Sequence, residues 1–238
     1  MNLRDYYDQY WQAKDDSVDY ARLELILQRI DPGSVVLQVD GGPEMLAERI
    51  RRKGVFIVVT ETSKVAAARA KAKGLDVVRA DPDTDSLPFP DDRFDIVVSD
   101  SAIEHRFFPE RSVDESIRVL RGGGAYILLV PNLGHWRCRL WVISGRFPSV
   151  PHSPMDRSHI RFFTLSEASR ILGERGMQVT AVDGSACLWV KGFVPRIFRV
   201  PPIDRLYTWL ARRFPSWLAR DVVLVGRKGE KPVEKDEL

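Results

Sequence analysis

Glu104 and His105 stand side by side in this chain, and a histidine beside a carboxylate suits proton chemistry. An imidazole titrates near neutral pH, so His105 could take a proton from a hydroxyl or position it, with Glu104 helping to hold the same ligand. The alternative for His105 is a capping or packing residue. A second stretch, Asp156-Arg157-Ser158-His159-Ile160-Arg161, interleaves two arginines with a histidine. Guanidinium groups present a planar fork that matches phosphate or carboxylate, so Arg157, His159 and Arg161 are candidates for substrate recognition, as is His135. A surface loop salt-bridged through Asp156 would read the same way. His135, His152 and His159 are irregularly spaced with no cysteine or close acid pair, so no metal centre is expected from them.

A third feature is a turn. Val35-Val36-Leu37-Gln38-Val39 is an apolar strand that runs into Asp40-Gly41-Gly42-Pro43-Glu44 and then a helix from Met45. Such a layout builds a nucleotide-cofactor site at the carboxyl end of the first strand of an α/β sheet. Glycine there lets the backbone approach a ligand closely.

These residues need a frame, and the hydrophobic pattern supplies one. Residues 3–30 read as one or two helices, stopped by Asp31-Pro32-Gly33. Strands are expected at 34–39, 54–59, 75–79, 94–98 and 126–130, and helices at 43–53, 63–73 and 110–120. A helix at 165–174, a strand near 177–182 and a last strand at 221–226 follow. Apolar strands alternating with amphipathic helices imply a doubly wound, mostly parallel α/β sheet. The loops at 40–44, 60–62, 81–85 and 99–105 would then meet in one crevice, where strand order reverses. One domain over 1–228 is expected: N-terminal helices at 1–33, a cofactor-binding half at 34–131 and a substrate-side half at 132–228.

Several stretches resemble class I S-adenosylmethionine-dependent methyltransferases. Residues 35–44 are similar to that family's first motif, Val-Leu-Asp-Val-Gly-Cys-Gly-x-Gly. Gln38 stands for its Asp, Asp40 for its first Gly, Gly41 for its Cys and Glu44 for its last Gly, while Gly42 holds its place. Leu87-Pro88-Phe89-Pro90-Asp91-Asp92-Arg93-Phe94-Asp95, Ala102-Ile103-Glu104-His105 and Arg118-Val119-Leu120-Arg121-Gly122-Gly123-Gly124 match three further elements in order. Pro131 to Leu140 with Gly145-Arg146-Phe147-Pro148 is similar to methyltransferases of the methionine-biosynthesis accessory type. It is equally similar to those encoded among cell-surface polysaccharide enzymes, and Asp156 to Thr164 resembles a motif of that second group.

The resemblance implies a seven-stranded Rossmann-like sheet and S-adenosylmethionine as cofactor. It places Gln38, Asp40, Gly41, Gly42, Glu61, Asp81 and Ser99 on the cofactor side. Asp40 and Glu44 each put a carboxylate near the place the cofactor's own carboxylate must take, and like charges repel. The ribose-gripping acid falls at Val59 or Thr60 by register. Glu61 serves if the turn is one residue longer, and is otherwise a solvent-facing glutamate at a helix start. Two functions therefore stand: a methyltransferase acting on a small molecule, glycan or lipid-linked sugar, or a catalytically inactive relative that binds or regulates a protein partner.

Composition sets the remaining bounds. The net charge is +3 over 238 residues, too mild for a nucleic-acid binder without a recognised motif. Cys138 and Cys187 are far apart, which fits a reduced, cytoplasmic setting. Residues 189–220 interleave Trp189, Phe193, Trp209 and Trp217 with Lys191, Arg196, Arg199, Arg205, Arg212 and Arg213. This helical, basic-aromatic C-terminal insertion either caps the domain with its aromatics inward or lies peripherally on an anionic membrane. The last four residues, Lys235 to Leu238, spell an ER-retention signal, but no signal core sends the chain there. A charged, disordered tail over 229–238 is the expectation.

Overall fold

The computed structural model describes residues 3–13, 20–42, 45–81 and 83–230. Pro43 and Glu44 of the cofactor turn, and 231–238 of the expected tail, lie outside the described residues.

Seven strands form one sheet in the order β3-β2-β1-β4-β5-β7-β6. They are β1 (Val35–Val39), β2 (Phe56–Glu61), β3 (Asp76–Arg79), β4 (Phe94–Asp100), β5 (Leu120–Pro131), β6 (Met177–Ser185) and β7 (Asp221–Lys228). Strands β1 to β5 run parallel, and β7 is antiparallel to both its neighbours. The chain winds outward from β1 to β3, then crosses back to β4. Strand order therefore reverses between β1 and β4, and a crevice must open beyond their carboxyl ends.

The sheet is buried on both faces because alternate side chains of each strand feed separate cores. Leu37, Val39, Val97, Leu128, Val222 and Leu224 join the first. Their neighbours Val36, Val98, Ile127, Leu129, Val223 and Val225 join the second. Each fully buried aliphatic side chain contributes about 1.5–3 kcal/mol. The helices are α1 (Leu3–Ala13), α2 (Tyr20–Leu27), α3 (Met45–Arg51), α4 (Lys64–Ala72), α5 (Pro109–Val119), α6 (Trp136–Ile143), α7 (Leu165–Gly173), α8 (Ile203–Arg213) and α9 (Pro215–Leu218).

Several boundaries differ from the expected ones. β5 begins at Leu120 and runs through Gly122-Gly123-Gly124, six residues before the expected start at 126. The strand pair β4/β5 shifts register between Phe94 and Ile96. At Gly124 an added Cβ would sit 2.9 Å from the Arg121 carbonyl oxygen and 3.0 Å from that of Asp95. Only glycine passes that irregularity, so the triplet is a bulge inside the strand. β6 also extends to Ser185, beyond the expected 182.

The basic-aromatic segment turns part of its apolar side chains into the core and leaves others exposed. Phe193, Tyr207 and Ala211 are buried, whereas Leu206, Trp209, Phe214 and Trp217 are exposed. Among the described residues no helix is long and apolar enough to cross a membrane.

Candidate active site

The loops after β1, β2 and β4 converge on one crevice, enclosing about 1110 Å³ with its open mouth. At one end it is lined by Asp40, Gly42, Glu61, Thr62 and Arg106; at the other by Glu104, His105, His152, Asp156 and His159. Tyr7 and Trp11 of α1 lie across it. The Tyr7 hydroxyl donates to the His105 carbonyl at 2.7 Å, and the Asp8 carboxylate accepts from Lys64 N at 2.7 Å. These bonds hold α1 over the first end.

The first end is built by the turn after β1. Asp40 sits at φ 49° and Gly42 at φ 54°, both in the left-handed region. Aspartate is among the few side chains that tolerate it. A Cβ on Gly41 would fall 2.3 Å from Val59 Cγ1, so the cysteine common at this position would collide with β2. Gly42 faces Trp11, whose ring a Cβ would meet at 3.4 Å. Gln38 lies beneath the turn, donating to the Gly41 carbonyl at 2.8 Å, and does not line the crevice.

The charge on Asp40 has an answer that the motif comparison missed. Arg106, 3% exposed, forms an ion pair with Asp40 and a second with Asp81 at 3.1 Å, and donates to Thr62 Oγ1 at 3.1 Å. Burial alone would lower the arginine's pKa; the neighbouring acids, led by Asp40, more than offset this and hold its proton. Burial raises the Asp40 pKa above the usual carboxylate value, and Arg106 offsets only part of that rise. The expected repulsion toward a cofactor carboxylate is thereby reduced by the guanidinium of Arg106, the residue after Glu104-His105. Asp81 is anchored in this network beneath the crevice and does not line it.

Glu61 is the last residue of β2 and 5% exposed, which overturns its reading as a solvent-facing glutamate. One carboxylate oxygen accepts from Gly42 N at 3.2 Å and the other from Ser63 N at 2.9 Å. Burial, then the Asp40 charge, raises its pKa to about 7. The acid expected at 59–60 is present two residues later because β2 runs to 61.

The second end is held by main-chain bonds. Ile160 N and Arg161 N both donate to the Glu104 carbonyl at 3.0 Å, tying the 156–161 loop to the turn of 3-10 helix Ile103–His105. This tie stacks His105 edge-on to His159, ring centroids 5.0 Å apart. His105 Nδ1 lies 2.9 Å from the Ser158 carbonyl and His159 Nδ1 lies 3.2 Å from that of Pro154. A carbonyl only accepts, so each Nδ1 carries the proton and each Nε2 is the basic nitrogen. Burial lowers the His159 pKa, keeping it neutral. Glu104 is 1% exposed, and burial raises its pKa to about 8.

Other candidates fall outside the crevice. Ser99 is fully buried below it; Asp100 and Ser101 line the wall in its place, bound by Arg22 at 3.2 and 3.1 Å. Arg157 and Arg161 are exposed, and Arg161 donates to the Phe107 carbonyl at 2.6 Å. Asp156 caps its own loop, accepting from His152 N and Ser158 N, so the loop is not held by an Asp156–arginine bridge. His135 is a core residue: fully buried, N-capping α6, with Nε2 3.0 Å from the Tyr207 hydroxyl and its ring against Phe193. Burial lowers its pKa to about 3. Tyr7, Trp11, Arg22 and Arg106 line the site with no motif to mark them; only the position of Arg106 just after Glu104-His105 could have flagged one.

This sheet order, with a glycine turn after β1 and an acid ending β2, defines a class I S-adenosylmethionine-dependent methyltransferase. Residues 20–193 match the family model described as methionine biosynthesis protein MetW, and the chain belongs to that family. It is 27% identical over 203 residues to an uncharacterised methyltransferase of Mycolicibacterium vanbaalenii, covering 82% of this chain and 76% of that one. A relative from Mycolicibacterium smegmatis, named as an S-adenosylmethionine-dependent methyltransferase, is 29% identical over 167 residues. That match covers 67% of this chain but only 59% of the relative. Among solved structures, the complex of the Haloferax volcanii Trm112 methyltransferase activator with its methyltransferase aligns with a TM-score of 0.67 at 19% identity. It covers 96% of this chain and 100% of that one.

The described residues fit S-adenosylmethionine, the cofactor in the name of the Mycolicibacterium smegmatis relative. Glu61 offers a carboxylate at the place a ribose diol would need an acceptor, beside a glycine whose missing side chain leaves room under Trp11. Asp40 and Arg106 offer opposite charges to an amino-acid moiety.

Proposed function

We propose that this protein transfers a methyl group from S-adenosylmethionine to a hydroxyl of a small-molecule, glycan or lipid-linked acceptor seated at the Glu104–His105–His159 end of the crevice. The observation that carries the reading is the continuity of the crevice, which joins the Gly42–Glu61 end to this cluster. Bound there, the cofactor supplies an electrophilic methyl group on a sulfonium, so the protein's task is mainly alignment. Glu61, Gly42, Asp40 and Arg106 hold the donor, and α1 excludes water above it. A hydroxyl acceptor must also lose its proton, and the cluster containing His105 is where that proton leaves.

The exposed Trp209 and Trp217, among the basic residues of 189–220, support an acceptor presented at an anionic lipid surface. The Trm112 complex of the structural neighbour gives protein-partner binding a precedent on this fold. A non-catalytic role loses its motive once Asp40 is paired and Glu61 ends β2. Incubation with S-adenosylmethionine and a panel of hydroxylated glycans and lipid-linked sugars tests the reading. S-adenosylhomocysteine release that depends on acceptor, and falls at least tenfold in His105→Ala, is expected. Turnover unchanged in that variant would refute the assignment of the acceptor end.

A further inference from the structure

Glu104 is a buried carboxylate, and neither of its oxygens has a hydrogen-bond partner among the described residues. Leaving such a group unmatched is costly, so it marks a place where a ligand belongs. One of its oxygens, a ring nitrogen of His105 and a ring nitrogen of His159 all lie within 4.8 Å of one another. Both imidazoles are oriented by a main-chain carbonyl at Nδ1. That is the outer-shell support found for metal-bound histidine, where the second ring N–H is held by a carbonyl or carboxylate.

We infer that Glu104, His105 and His159 form a binding site for one divalent transition-metal ion, open on the crevice side to the acceptor. Two imidazoles and a carboxylate suit Zn²⁺, Fe²⁺ or Mn²⁺, with further positions left for water or substrate. Ligand atoms around a tetrahedral ion with bonds of about 2.1 Å stand about 3.4 Å apart, a contraction that side-chain rotation supplies. The three residues are supplied by a short helix and a distant loop, joined by the Glu104 carbonyl bonds to 160 and 161 and by the bond of His105 to the Ser158 carbonyl. The ion supplies the buried Glu104 carboxylate with a partner that its two oxygens lack among the described residues. The inference rests on the reading that this end receives the acceptor. A hydroxyl ligated to such an ion is acidified and gives its proton to solvent, so the ion extends the role given to His105.

The test is calorimetric titration of the chelator-treated full chain with zinc chloride and, separately, manganese chloride, alongside the visible spectrum with Co²⁺. One equivalent bound at micromolar or tighter affinity is expected, with d–d bands from a low-coordinate Co²⁺ site. Glu104→Gln and His159→Ala should each weaken binding at least tenfold, while His152→Ala, lining the same crevice, should leave it unchanged. Absent binding and absent Co²⁺ bands in the unmodified protein would overturn the site, as would affinity indifferent to Glu104→Gln. S-adenosylhomocysteine titration separates the layers: retained with no metal bound, it removes this inference alone; lost, it removes the methyltransferase reading beneath it.

Discussion

The two ends of the crevice handle buried charge in opposite ways. At the cofactor end Asp40 and Asp81 share Arg106, and Glu61 accepts two main-chain N–H groups. At the acceptor end the Glu104 carboxylate meets no donor among the described residues. The bonds of the first end are in place before any ligand arrives, and Arg106 offsets part of the acids' charge. The second is left unfinished, which is how a site that waits for an ion or substrate looks. Burial costs a charge several kcal/mol; ion pairs with Arg106 offset part of it at the first end, while at the other burial raises the Glu104 pKa to about 8.

The largest effect expected comes from breaking the compensated end. Arg106→Met strands two buried aspartates and should cost about 3–5 kcal/mol in denaturant unfolding. Adding Asp40→Asn should restore part of that loss, and a coupling near zero between the two would show the pair to be energetically idle. Next is Glu61→Ala, which removes the strand-end acid. Loss of charged hydrogen bonds worth about 1.5–3 kcal/mol weakens S-adenosylhomocysteine binding roughly 10- to 100-fold, read by calorimetry.

These two residues also show where sequence reading succeeded and where it stopped. The sheet, its reversal point and the convergence of the loops after β1, β2 and β4 were legible because strand and helix periods differ and glycines punctuate them. Glu61 was legible as a candidate but not its setting, because the two residues by which β2 outruns its expected end decide between crevice and solvent. Arg106 was invisible, since its meaning depends on acids 66 and 25 residues away in the chain. His135 read as a substrate-recognition candidate and is a core residue, because an imidazole's role follows from what surrounds it. His105 and His159, 54 residues apart, come together only through main-chain bonds no motif encodes.

Smaller effects sharpen the contrast. Asp40→Gly restores the family's common residue yet removes one partner of Arg106, so S-adenosylhomocysteine affinity should stay the same or fall severalfold. A tenfold gain on titration would show the native aspartate to be an obstacle. Glu61, facing Asp40 and Arg106, has a folded pKa of about 7 against an ordinary 4.5. The folded state therefore binds the extra proton between those values, and apoprotein stability contributed by this group is lost as pH rises from about 4.5 to 7. Chemical denaturation across that window should show a decline that Glu61→Gln flattens. Smallest is Arg157→Ala: exposed and outside the crevice, it should change stability by about 0.5 kcal/mol or less and turnover by less than about twofold.

The central claim is that the altered turn after β1 still holds the cofactor because Arg106 answers Asp40 and Glu61 closes β2. Calorimetric titration of the purified protein with S-adenosylhomocysteine tests it most directly. The account predicts one site of micromolar affinity, lost in Glu61→Ala. Absence of heat at millimolar ligand, with the protein folded, would contradict it.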